Sequence, residues 1–307
     1  MSVAVANQAG RRLRAGRLQR IDAAWGYLFV APAVIGFLIF VLVQIVGVFY
    51  FSAFDYNSLS GRSSFSGIDN FLSLMANPVF HTVLANTAVF SLGVIPANIL
   101  VGLGLALLIN QKLPAIAIFR TAYFVPVVMS LVAWSLVWEL LLQDNGGVNA
   151  WLGMVGVDGP NWLASSDWAM ISVIAVQVLK GVGVSMILFL AALQEVPQEI
   201  REAAIVDGAG AWQSFVRITL PLISPTMFMV AILATINSLK AFALVYLLTM
   251  GGPGYSTTIL GYFIYDQAFK AFQVGYASSA AVVLFAIVLG LTVLQWWGRK
   301  RWVFHES

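Results

Sequence analysis

Long apolar runs dominate this chain, in place of the alternation of half-buried strands or the one-sided stripes of surface helices. About 20 mostly apolar residues are needed to cross ~30 Å of hydrocarbon as a helix. Six stretches reach that length: about Ala24 to Phe51, Val83 to Ile109, Ile116 to Leu142, Ala169 to Leu193, Ile223 to Leu248 and Ala277 to Trp297. In lipid no water satisfies open backbone groups, and these runs are far too long for barrel strands, so they must be helices. The pattern predicts an all-α integral membrane protein with six transmembrane helices.

Between the fourth and fifth runs the pattern changes. Gln194 to Pro225 is the most polar internal segment. Pro197 suits the first turn of a helix. Glu199, Arg201 and Glu202 then form a charged face, with Ile200, Ala203, Ala204 and Val206 on the other. Asp207-Gly208 ends it, because Gly tolerates positive φ after a helix. A second short helix is expected from about Ala211 to Ile218, before Leu220-Pro221. Residues 143–168, apolar over Ala150–Val157, predict a short helix at the outer surface.

Composition removes most other classes. The 307 residues are 60% hydrophobic and only 9% charged, with mean hydropathy +0.89; soluble domains carry about 25% charge. This excludes a soluble enzyme, a disordered chain and a nucleic-acid binder, despite a pI near 9.2. There is no Cys, and the only two His, His81 and His305, lie far apart. Disulfides, thiolate chemistry and metal centres are thereby disfavoured. No GxxxxGK[ST] occurs, so the chain is not itself a P-loop ATPase. No catalytic residue, metal or cofactor of its own is expected.

Charge placement sets the expected topology. Arg11, Arg12, Arg14, Arg17 and Arg20 precede the first run; Lys112 and Arg120 lie at the second connection, and Arg201 and Arg217 at the fourth. Arg299, Lys300 and Arg301 follow the last run, whereas the opposite connections carry only Arg62 and Lys270. By the positive-inside rule both termini are cytoplasmic, in an inner, multi-pass membrane protein. Residues 1–23 read as a basic tail before an uncleaved first helix, 24–298 as one membrane domain and 299–307 as a C-terminal tail.

The polar loop also carries a resemblance. Glu202-Ala203-Ala204, Asp207-Gly208-Ala209 and Ile218-Thr219-Leu220-Pro221 resemble the EAA loop of ABC importer permeases. The likeness extends through Phe189–Gln194, Val196-Pro197, Leu247–Pro253, Phe119-Arg120-Thr121 before Pro126, and Gly147-Val148-Asn149. Across roughly residues 25–300 the chain is similar to the carbohydrate and glycerol-phosphate branch, notably the larger permease of maltose importers. The resemblance implies a second homologous permease, two cytoplasmic ATPase subunits holding ATP and Mg, and an extracytoplasmic solute-binding protein. It also implies that residues 194–221 form the coupling loop. Glu202 would make the main polar contact with the ATPase, Gly208 would allow the bend, and Ala203, Ala204, Asp207 and Ala209 complete the motif.

Polar residues within the runs suggest a cavity. Lys180 lies about halfway along the fourth run and Lys240 late in the fifth. A charge at a helix centre costs ~2.5–3.5 kcal/mol by insertion scales and tends to face a cavity. Asn237 and Ser238 offer amide and hydroxyl groups suited to sugar hydroxyls. By the resemblance, Lys180, Gly181 and Val184 line the transport cavity from the fourth helix, with Asn237, Ser238 and Ala241 from the fifth and Lys240 among them. Snorkelling is the alternative for Lys240, and an ion pair with the second permease for Lys180. The branch often has Asp after Phe in the fifth helix, where this chain has Phe242-Ala243. The unneutralised Lys240 suggests tolerance of an anionic solute.

The expected function is that of a permease subunit importing a sugar, an oligosaccharide or a sugar- or glycerol-phosphate-like solute by alternating access. A secondary carrier is the alternative, but it would call for buried carboxylates in the helices; only Glu139, near one helix end, fits. Gly102 and Gly104, with Ala97 and Ala106, form small-residue stripes suited to helix contacts.

Overall fold

The computed structural model describes residues 25–111 and 116–302, which are almost entirely helical. The basic segment 1–24, Lys112 and residues 303–307 lie outside the described residues. Four helices are long and apolar enough to cross a membrane unbroken: α1 (Trp25–Ser52), α3 (Pro78–Ile109), α7 (Ser166–Glu195) and a last helix over Val274–Arg299. Two further candidates are bent pairs, Ile118–Val128 with Leu131–Leu141 at 105° and Ala211–Leu222 with Ser224–Leu239 at 67°.

The chain divides into two units, residues 1–51 and 52–307. Within the first, α1 is apolar on every side and contains a π-helical turn at Leu38–Leu42. The second unit opens with a small hairpin, β1 (Phe54–Tyr56) antiparallel to β2 (Ser63–Phe65), followed by α2 (Asp69–Ala76). Asn77 caps α3 by accepting from the Val79 amide at 2.9 Å, with Pro78 in the first turn. Pro96 lies inside α3 without ending it.

The framework is the pair α3 and α7. Gly102 sits where a Cβ would come within 2.8 Å of Ser185 Cβ, and a Cβ on Gly181 would meet Asn98 Oδ1 at 3.1 Å. The contacts advance together along both chains, so the two helices run parallel. Small residues let backbones approach, which is how helices associate without a hydrophobic driving force in lipid. Gly104, by contrast, faces open space. Leu103, Ala106 and Ile109 of α3 pack with Met186, Phe189 and Leu193 of α7 and with Ile223 and Val230. Nearer the other end, Phe90, Val94, Trp134, Val173, Val176 and Val245 make a second cluster.

The third and fifth apolar runs are not single straight helices. The third becomes α4 (Ile116–Val128) and α5 (Leu131–Leu141), separated at Met129-Ser130. The fifth begins as α10 (Ser224–Leu239), loosens at Lys240–Phe242 and resumes as α11 (Ala243–Leu248). Between α5 and α7 the short helix α6 spans Gly147–Met154. Between α7 and α10 lie α8 (Gln198–Val206) and α9 (Ala211–Leu222), the latter with a π-helical stretch at Phe215–Thr219. After α11 come α12 (Leu260–Tyr265) and α13 (Val274–Trp302).

Candidate functional site

Helix α8 presents the motif residues on a short amphipathic rod. Its last turn is closed by Gly208 at φ +79°, where the Ala209 amide reaches back to the Ala204 carbonyl at 2.9 Å. This is a left-handed helix terminator of the Schellman kind, which Gly adopts without the steric cost of a Cβ. The Asp207 amide bonds the Ala203 carbonyl at 2.9 Å. Glu202 is exposed, and its Oε1 accepts from Gln198 Nε2 at 2.7 Å, one turn back. Ala203, Asp207 and Gly208 are exposed as well, Ala209 is half-buried, and Ala204 is buried.

The apolar face expected of α8 is largely open. Ile200 and Val206 are exposed, Val206 at 87%, and Trp212 on α9 is 77% exposed beside Phe215. Val206 lies on the helix face opposite the charged residues, as its spacing predicts, and Trp212 stands just beyond it. For Trp212, an aromatic next to the Asp-Gly-Ala turn was the available signal. Because Gly208 is left-handed with space around it, Gly208→Val is expected to destabilise the turn by about 1–2 kcal/mol. Protease susceptibility of α8 in membranes should rise, whereas Gly210→Ala, at negative φ in open space, should leave it unchanged.

The residues expected to share a cavity separate into three environments. Val184, Asn237 and Lys240 are exposed, and Asn237 and Lys240 lie three residues apart at the end of α10. Lys240 has no side-chain hydrogen bond or ion pair among the described residues. Ser238 is fully buried and spends its hydroxyl on the Thr235 carbonyl at 3.0 Å. Ala241 is buried, its carbonyl 2.8 Å from where a Cβ on Gly261 would stand, and Gly181 faces Asn98 on α3.

Lys180 has a third environment. Its Nζ donates to the carbonyls of Pro126, Val127 and Met129, the last at 2.7 Å. These carbonyls belong to the interruption between α4 and α5.

At the far end of α7 from the polar loop, two further motif segments build turns. Asn149 donates to the carbonyls of Asp144 and Pro160 at 3.0 and 3.3 Å and accepts from Trp162 Nε1 at 2.7 Å. The Leu247–Pro253 motif is held by Thr257 Oγ1 on the Gly252 carbonyl and Thr258 Oγ1 on the Gly251 carbonyl, at 2.8 and 2.9 Å. Glu139, Asp144, Asn161 and Thr249 border an open cavity of about 460 Å³ there. Nearby, Lys270 bonds Tyr262 Oη at 2.8 Å and pairs with Asp266 at 3.2 Å. The tyrosine first and the aspartate second push the Lys270 pKa up.

Comparison with known proteins gives these features a family. Residues 28–300 match the family described as "Binding-protein-dependent transport system inner membrane component". The chain is 35% identical over 278 residues to the multiple sugar-binding transport system permease protein MsmF of Streptococcus mutans, covering 90% of this chain and 95% of that protein. It is 34% identical over 290 residues to the lactose transport system permease protein LacF of Rhizobium radiobacter, covering 92% and 97%. Among solved structures, a bacterial alginate ABC transporter, in complex with an alginate pentasaccharide-bound periplasmic protein, superposes with a TM-score of 0.79. That match has 25% identity and covers 92% of this chain and 96% of that one. The long packed helices, the short polar helices after α7 and the match over nearly the whole length lead to one conclusion: the chain belongs to the inner-membrane permease components of binding-protein-dependent ABC transport systems.

Proposed function

We propose that this permease forms half of the translocation path of an ATP-driven importer for a sugar or oligosaccharide. In this reading the bent pair α4–α5 is one crossing and α10 with α11 another, giving six spans with both termini cytoplasmic. A second, homologous permease closes the open face carrying Val184, Asn237 and Lys240. The α8 rod is the coupling helix and docks on one of two cytoplasmic ATPase subunits, which hold the ATP and Mg. A solute-binding protein delivers from the opposite side, where Glu139 and Asp144 border the outer cavity.

The observation that carries the reading is the exposed α8 end: Glu202, Val206 and Trp212 are offered to a partner, and Gly208 turns the chain sharply behind them. Only a short Val196-Pro197 link separates α8 from α7, the most enclosed of the long helices. Movement of α8 thus passes to a rod about 45 Å long, at 1.5 Å per residue. ATP binding closes the ATPase pair, the coupling helices move inward, and the cavity opens to the binding protein; hydrolysis resets it toward the cytoplasm.

The test is affinity purification of this chain in mild detergent, with the co-purifying subunits counted and ATP hydrolysis assayed. A second permease and two ATPase copies, with hydrolysis stimulated by solute-loaded binding protein, support the importer. A chain that purifies alone or as a homodimer and moves solute without ATP makes it a secondary carrier.

Lys240, exposed and without a side-chain partner among the described residues, favours an anionic solute within the sugar class, since Ala243 supplies no carboxylate near it. Uptake competition checks this. Acidic or phosphorylated sugars should compete better than neutral ones, and Lys240→Gln should narrow the difference. Equal competition by neutral sugars ends the anionic reading.

A further inference from the structure

Lys180 spends its ammonium on the backbone of a neighbouring helix. Helix α4 stops at Val128, and Ser130 turns the backbone extended, at φ −61° and ψ 143°. A helix that ends leaves its last carbonyls without intrahelical partners and carries partial negative charge there. In a membrane no bulk water takes up those groups. Three of the carbonyls around the break, those of Pro126, Val127 and Met129, converge on the ammonium of Lys180. The other side of the break is capped by Ser130, whose Oγ accepts from the Ala133 amide at 3.1 Å.

The neighbours of Lys180 on α7 serve the same elbow. Trp134 on α5 donates from Nε1 to the Val176 carbonyl at 3.3 Å, and its ring lies 6.0 Å from Lys180 Nζ. A Cβ on Gly183 would stand 2.2 Å from the Tyr123 carbonyl oxygen of α4. Val176, Lys180 and Gly183 are spaced i, i+4 and i+7, so one face of α7 grips the last turn of α4, the break and the first turn of α5.

We infer that Lys180 is a positioning residue: its ammonium stands where the helix would have continued, latches the 105° elbow of the third span to α7, and makes the elbow follow the helix that leads to the coupling segment. The role of the latch in transport rests on the importer reading above; its existence does not. Loss of the charge-assisted hydrogen bonds frees carbonyls that only other protein groups or penetrating water then satisfy.

The experiment uses the full-length chain in native membranes. Because there is no Cys, Ser135→Cys provides a single thiol on α5 just past the elbow, at a position only 1% exposed, whose labelling rate by a small maleimide reports opening. With Lys180→Met the rate should rise about tenfold or more, the change expected for losing at least one hydrogen bond to a charged group. Lys180→Arg, which keeps a cation and several donors, should restore slow labelling. Should Lys180→Met not accumulate, Lys180→Gln replaces it with the same readout. Unchanged labelling in the charge-free variant overturns the latch. So does a raised uptake KM with an undisturbed elbow, which would make Lys180 a solute ligand. If the elbow opens in a chain that proves to need no ATP, the latch stands and the importer reading falls.

Discussion

Glu202→Lys is expected to abolish uptake while the chain still accumulates in the membrane with its spans intact. The Glu202 carboxylate is exposed and, among the described residues, accepts one hydrogen bond, from Gln198 Nε2 within the same helix. Such an exposed (i, i+4) contact stabilises a helix by only ~0.2–0.5 kcal/mol, so the fold should barely register the change. The effect lies in the partner. If α8 sits in a cleft of the ATPase, reversing the charge leaves a buried group facing its own sign, and truncating one member of a buried interfacial pair already costs 2–5 kcal/mol. That corresponds to a loss of about thirtyfold to several thousandfold in assembly or coupled hydrolysis. Uptake by membrane vesicles and binding-protein-stimulated hydrolysis by the purified complex both read it. Wild-type uptake in this variant would remove α8 from the coupling role.

The second large effect is expected at Gly183. A methyl group there would lie 2.2 Å from the Tyr123 carbonyl oxygen and 3.0 Å from Val127 Cγ2. The first obstacle is backbone, so no rotamer change relieves it; α4 must move away from α7 and pull its carbonyls off Lys180. Overpacking of this kind costs about 1–3 kcal/mol and occasionally more, and Gly183→Ala should fall at the upper end. Gly104→Ala is the contrast. Gly104 is also helical but has nothing within 4 Å of its Cβ position, so the substitution should be neutral or stabilising by up to ~1 kcal/mol. Thermal denaturation in detergent, followed by the loss of monodisperse protein, compares the two. Equal midpoints would mean that the close approach of α4 to α7 is absent.

These glycines mark the limit of what could be read from sequence. Gly102 and Gly104 are equally small and suited to helix contacts, but two residues apart they point about 200° away from each other, and only Gly102 meets another helix. Spacing places residues on a helix face but does not say which face has a neighbour. The prolines teach the same lesson. Pro96 is carried within a continuous 32-residue helix, whereas the third apolar run breaks shortly after Pro126. At the break the freed carbonyls meet Lys180, which is 54 residues away from Pro126.

The polar residues of the expected cavity divided for a similar reason. Asn237 and Ser238 are adjacent and equally suited to bind hydroxyls. Consecutive helical positions are about 100° apart, however, so one is exposed while the other bonds back to Thr235. On α8, spacing puts Ala204 and Val206 on the same uncharged side, but Ala204 is buried and Val206, next to the left-handed turn at Gly208, is in the open.

The sequence by itself determined the membrane class, the extent of the long apolar helices and the place of the short polar helices between α7 and α10. Lipid as solvent leaves a long apolar run no choice but helix, and a Pro–charged–Asp-Gly pattern leaves a helix few places to start and stop. Only the tertiary structure decided where two of the apolar runs break and which glycines are contacts. It alone decided that the central lysine serves the backbone of a neighbouring helix. Each of those depends on groups far apart in the chain meeting where no water can substitute for them.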